Sequence, residues 1–186
     1  MGSIVAGLTG IIAVGCGTVR GGYETAPYQV VRSSGKIELR NYPTLVIVET
    51  PMRGSDDSFM RLFRFIGGNN AASQKIAMTT PVYMAGGATN ATMAFVMPKN
   101  MSASAAPKPN DPGVTVREIS GGQFAVLRFS GGRSAKNETN ALTKLSGWLA
   151  QENLKATGGA IYGYFDPPWT PTFFRRNEVM LRVVTP

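Results

Sequence analysis

One pattern is written twice in this chain. Leu45–Glu49, rich in β-branched residues, leads through Arg53-Gly54 into an amphipathic helical stretch and then into two strand-like runs. Gln123–Phe129 leads through Gly131-Gly132 into a second helical stretch and two more runs, at an offset of about 80 residues. Neither half has enough strands to bury an apolar face alone, so the two must close on each other. The expectation is one α+β domain: a mostly antiparallel sheet carrying two α-helices, built from a pseudo-two-fold repeated half. At 186 residues the chain holds a core without staples, and its one cysteine, Cys16, excludes an internal disulfide.

Turn residues set the expected elements. Tyr28–Arg32 and Lys36–Asn41 flank Ser33-Ser34-Gly35 as a hairpin, and Val114–Ile119 and Gln123–Phe129 flank Ser120-Gly121-Gly122 as another. Lys75–Met84, Thr92–Met97, Ile161–Phe165 and Glu178–Val184 read as further strands. Asp56–Ile66 reads as a helix with Ser55 as N-cap, a stripe of Phe59, Leu62, Phe63 and Ile66, and Gly67-Gly68-Asn69-Asn70 as its end. A second helix runs from about Ala135 to Gln151 with Leu142, Leu145, Trp148 and Leu149 inward. Lys99–Pro112 is expected to be a mobile loop dividing the halves.

The first residues read as a targeting segment. Ile4–Val14 is apolar, no charge precedes Arg20, and the length suits a signal-peptide core rather than a membrane span. Ala13-Val14-Gly15-Cys16 resembles the lipobox of bacterial lipoproteins, in which the cysteine is lipidated. Met1-Gly2-Ser3 lacks the usual positive charge, and a plain membrane anchor is the competing account. The expected organisation is a signal peptide and lipobox over 1–16, a tether over 17–26 and a folded domain over 27–186. That places the protein in the cell envelope, lipid-anchored at Cys16, on a periplasmic or extracellular face.

Composition narrows the chemistry. The chain has no histidine, which excludes imidazole-based triads and histidine-ligated zinc or haem iron. The carboxylates are dispersed, Asp56-Asp57 being the only adjacent pair, and the Gly-Gly pairs lack phosphate-loop spacing. No catalytic constellation emerges, and the chain is not expected to be an enzyme. A net charge of +8 favours anionic partners, but Arg175-Arg176 is the only adjacent basic pair, so no nucleic-acid stripe forms.

A binding role has more support. Nine Met, nine Phe and six Tyr supply soft surface suited to a flat apolar ligand. The first helix is apolar over most of its circumference: Phe59, Met60, Leu62, Phe63, Phe65 and Ile66. Either Phe65 or Met60 fills a second core contact, or the Phe59/Met60/Phe63 side stays exposed with Arg61 or Arg64 at its rim.

Several blocks together resemble the SOUL haem-binding protein family. They are Lys36–Tyr42, Phe63–Asn70, Lys75-Ile76-Ala77-Met78-Thr79-Thr80-Pro81-Val82, Phe95–Pro98, Gly163–Pro168 and Arg175-Arg176-Asn177-Glu178-Val179. The resemblance implies a distorted antiparallel β-barrel of about eight strands flanked by two helices. It implies haem or another tetrapyrrole bound along the first helix, through Phe59, Met60, Phe63 and Arg64, in a family that is not generally enzymatic; a monomer is expected. Some relatives ligate iron with a histidine at the position of Asn41, so binding here would proceed without imidazole. Met60, Met78 and Tyr42 are the remaining candidate iron ligands, and weak, non-selective binding is expected. Two alternatives stay open: a cleft binder like the effector domains of some bacterial regulators, which an acidic cleft residue would favour, or an envelope protein-interaction module. The Pro- and Gly-bearing blocks also have the chemistry to fix backbone shape alone.

Overall fold

The chain spends its β-branched and aromatic runs on one large sheet and uses two helices to cover it. The computed structural model describes residues 22–52, 57–87 and 90–184. Its strands are β1 (Glu24–Thr25), β2 (Gln29–Ser34), β3 (Ile37–Tyr42), β4 (Leu45–Pro51), β5 (Thr79–Thr80), β6 (Val82–Ala85), β7 (Thr92–Val96), β8 (Thr115–Ile119), β9 (Gly122–Phe129), β10 (Lys155–Tyr164) and β11 (Asn177–Val184). The helices are α1 (Asp57–Ile66) and α2 (Ala135–Gln151). Cys16 and the expected cap at Ser55 with Asp56 lie outside the described residues.

Nine strands form one sheet in the order β2-β3-β9-β11-β10-β6-β7-β4-β8, with every pairing antiparallel. The α+β expectation therefore holds. Among the described residues β2 and β8 remain sheet edges, so the sheet is open rather than a closed barrel. A separate parallel pair, β1 with β5, ties Glu24–Thr25 into the body, and Ala26 behind it is buried. Glu24, Thr25 and Ala26, within the stretch expected to be tether, are thus part of the folded body.

Gly35 turns β2 into β3 as expected, at positive φ. The second expected hairpin does not form: β8 pairs with β4, while β9 pairs with β3 and β11. The Ser120-Gly121 link instead crosses flush against the link between β3 and β4. A Cβ on Gly121 would sit 2.6 Å from the Tyr42 carbonyl oxygen and 2.7 Å from the Pro43 carbonyl carbon. Glycine is there for close approach, not for a turn. The Lys75–Met84 run also differs: only Thr79–Thr80 and Val82–Ala85, which runs one residue past it, are strand. The expected mobile loop is pinned to the loop after α1, with Ala71 donating to Lys108 and Asn70 bridging to Pro109.

Three apolar clusters fill the body. α2 buries Ala141, Leu145 and Leu149 against β3, β9 and β11, with Leu142 and Trp148 half-buried beside them. α1 buries Leu62, Phe65 and Ile66 against Val48, Met93 and Phe95. A third cluster, including Tyr42, Ile47, Tyr83, Phe124, Val126 and Met180, lies within the curved sheet.

Candidate functional site

α1 packs on β4 and β7 through a stripe shifted from the expected one. Ser58, Leu62, Phe65 and Ile66 point inward, while Phe59, Met60 and Phe63 are 38%, 47% and 46% exposed. With apolar residues on all sides, the helix can satisfy the core only by leaving one apolar face in solvent. Phe59 reaches the edge of Phe95 at 5.2 Å and stacks on Phe63 at 5.9 Å with ring planes 15° apart. The result is a supported, flat aromatic surface.

Arg64 borders this surface. Its Nε donates to the Met60 carbonyl at 3.2 Å, and a terminal nitrogen donates to Asp57 Oδ1 at 3.5 Å on exposed surface. Arg61 is committed elsewhere: it pairs with Asp111 at 3.3 Å and donates to Thr50 Oγ1 at 3.1 Å. The fold therefore gathers Phe59, Met60, Phe63 and Arg64 on one helix face. A planar apolar ring system bearing carboxylates fits that donor set: two rings and a thioether for its face, a guanidinium for its charge. Among the described residues no group of three or more His, Cys, Asp or Glu could hold a metal ion.

The other named residues lie apart from this face. Asn41 is exposed on β3 and lines an open concavity of about 510 Å³ with Pro27, Tyr28, Gln29, Tyr42, Pro43 and Gly122. Met78 is half-buried against the α1 core. Tyr42 is buried, and its hydroxyl accepts from Arg40 at 3.0 Å. Burial drives the Tyr42 phenol well above its ordinary range, against the opposing charge of Arg40. It stays protonated.

Beneath Tyr28 lies a buried charge network that joins distant parts of the sequence. Arg40 and Glu178 are each 1% exposed and join through two hydrogen bonds of 2.8 and 3.0 Å. Arg176 donates twice to the same carboxylate, at 2.6 and 3.1 Å, and Glu38 accepts from Arg40 at 2.7 Å. The Arg40 guanidinium sits 4.0 Å from the Tyr28 ring centroid and the Arg176 guanidinium 4.3 Å from that of Phe165. Burial alone would raise the Glu178 carboxyl, but the Arg40 hydrogen bonds and the two arginine charges outweigh it and hold it below 4.5. Arg176 and Glu178 lie two residues apart; Arg40 is distant in sequence and gives no local signal.

The other blocks are engaged within the fold. Asn70 Nδ2 donates to the Phe65 and Gln74 carbonyls, and its Oδ1 accepts from Ala72 and Gln74. Asp166 accepts from the Arg176 backbone at 2.6 Å, and Gly163 lies where a Cβ would crowd Pro81 at 3.2 Å.

The defining pattern of the SOUL heme-binding protein family matches residues 23–182. The chain belongs to that family. No curated protein matches it at the level of sequence. Its fold is similar to a hydrolase from Listeria innocua (TM-score 0.63, 11% identity, 82% of this chain and 94% of that one). It is likewise similar to the C-terminal domain of EcmrR (TM-score 0.58, 14% identity, 81% and 98% covered). At such identities the likeness concerns the fold. It shows that this SOUL chain shares its architecture with proteins of other names.

Proposed function

We propose that this protein binds haem or another tetrapyrrole on the exposed face of α1, without an imidazole ligand and without catalysing a reaction on it. Membership of the SOUL family supports the ligand class. The observation that carries the location is the outward Phe59/Met60/Phe63 surface bordered by Arg64. The two rings and the Met60 thioether would lie against the macrocycle, and Arg64 would meet its carboxylates. Haem bound this way would supply light absorption and redox-active iron, and the chain would hold it by its flat face.

The cleft reading has less support. Glu49 lines a cavity of about 110 Å³ with Tyr83, Arg117, Ile119 and Ile161, yet Arg117 holds its carboxylate through two hydrogen bonds of 2.7 and 2.8 Å. The charge that would attract a cation is already paired, and the space is well under the roughly 300 Å³ of ordinary ligand pockets.

The finer organisation belongs to the same proposal. The order β4-α1-β6-β7 alongside β9-α2-β10-β11 supports a pseudo-two-fold origin for the domain. The Ala-Val-Gly-Cys sequence supports lipid attachment at Cys16 and an envelope location, and a carrier or buffer role as a monomer would follow. Phe63→Asp tests the site. It places a charge where the ligand face would lie, so haemin binding should be lost. Because Phe63 is nearly half exposed, about 1 kcal/mol of stability or less should go with it. Undiminished haemin binding by a folded Phe63→Asp protein would move the site off α1.

A further inference from the structure

The three most exposed large apolar side chains among the described residues sit on one short loop. Between β10 and β11, Trp169 is 82% exposed, Phe173 69% and Phe174 67%. The Phe173 and Phe174 rings lie 4.3 Å apart.

This loop is built, not slack. Pro167, Pro168 and Pro171 restrict its backbone. Thr170 donates to the Pro167 carbonyl at 3.0 Å and Phe174 to that of Pro171 at 2.9 Å. Arg175 folds back beneath, its Nε donating to the Thr170 carbonyl at 2.7 Å and its terminal nitrogen to that of Pro168. Gly131 donates to the Thr172 carbonyl at 3.1 Å, which fixes the loop beside the start of α2. The carbonyls of Pro167, Pro168, Thr170, Pro171 and Thr172 thus have partners inside the protein. Such a tip can leave water without stranding those groups.

Basic residues stand at the start of α2, beside which the loop is fixed. Arg133 precedes α2 and is half exposed, with its carboxylate partner Glu138 as far as 3.8 Å away, and exposed Lys136 stands in the first turn of α2. A preorganised tip of Trp and Phe beside basic side chains is the chemistry of a lipid headgroup boundary. The whole chain, at +8, is attracted to an anionic surface. The apolar Ile4–Val14 stretch, outside the described residues, is in sequence a second element of that kind.

We propose that the 167–175 loop docks this protein onto an anionic lipid bilayer. Trp169, Phe173 and Phe174 enter the headgroup–acyl boundary, and Arg133 and Lys136 meet the lipid phosphates. The proposal stands independently of the tetrapyrrole site.

The chain has two tryptophans, so a full-length Trp148→Phe protein reports from Trp169 alone. Vesicles of equal parts phosphatidylcholine and phosphatidylglycerol should shift its emission to the blue, and lipids brominated near the headgroup should quench it. Phe173→Ser/Phe174→Ser should weaken this partitioning roughly a hundredfold. Arg133→Gln/Lys136→Gln should weaken it about thirty-fold on the anionic vesicles and leave purely phosphatidylcholine vesicles unaffected. Unchanged Trp169 emission at saturating vesicles overturns the proposal, even if the protein sediments with lipid through its N-terminal stretch. So does a blue shift that depends on protein concentration without lipid, which would make the loop a contact between copies.

Discussion

Removing the Glu178 carboxylate should cost the protein a large share of its stability. Glu178→Ala deletes the acceptor of four hydrogen bonds from Arg40 and Arg176. Arg176 keeps 14% side-chain exposure and can turn toward water, but Arg40 is 1% exposed and retains only Glu38 as a charged partner. A stranded buried charge costs about 3–5 kcal/mol, against a total stability of about 5–15 kcal/mol for a domain of this kind. Arg40→Met/Glu178→Leu removes both buried charges together. Glu38 and Arg176, at 22% and 14% side-chain exposure, can then be solvated. The double variant should therefore be more stable than Glu178→Ala, and the two sites should couple by up to about 3 kcal/mol. Urea unfolding followed by circular dichroism gives these energies. A loss under about 1 kcal/mol for Glu178→Ala, the range of exposed ion pairs, would refute the reasoning. So would additive single costs.

Other outcomes follow from the same contacts. Because the folded state holds the Glu178 carboxyl below 4.5, its contribution to stability is complete above that pH. It should fade as pH falls from there through the lower folded value, and urea unfolding of Glu178→Gln should show a shallower decline over the same acid range. Gly121→Ala should cost several kcal/mol, on the order of 3, because its Cβ would meet three backbone atoms at 2.6–2.8 Å; a melting temperature within a degree or so of the parent would contradict this. Cys16→Ser should abolish incorporation of labelled fatty acid in a bacterial host, and continued labelling would reject Cys16 as the attachment point.

What sequence could and could not show follows from where each signal resides. The bounds of α2 were readable because its stripe is one-sided and Ser134 caps it, accepting from the Asn137 backbone at 3.2 Å. The phase of α1 was not. Apolar residues surround that helix, so periodicity admits several stripes, and only contact with Val48 and Phe95 selects Leu62, Phe65 and Ile66. Ser120-Gly121-Gly122 has turn composition, yet the glycine there answers a neighbouring backbone from a distant link. Arg40 finds Glu178 138 residues away, a distance at which sequence pattern is silent. The outward Phe59/Met60/Phe63 face is one of the two options the sequence offers, and Arg64, more exposed than Arg61, borders it. Trp169, Phe173 and Phe174 lay in a stretch that reads as turn chemistry, and their exposure needs the folded loop to be seen.

The central claim is recognition of a tetrapyrrole by an apolar helix face without an iron ligand. Parallel titration with haemin and with iron-free protoporphyrin, followed by Soret absorbance and tryptophan quenching, tests it most directly. The account predicts saturable binding of both, with similar affinity on the order of micromolar, lost together in Phe63→Asp. Haemin bound tightly while protoporphyrin is ignored, or neither bound saturably, would contradict it.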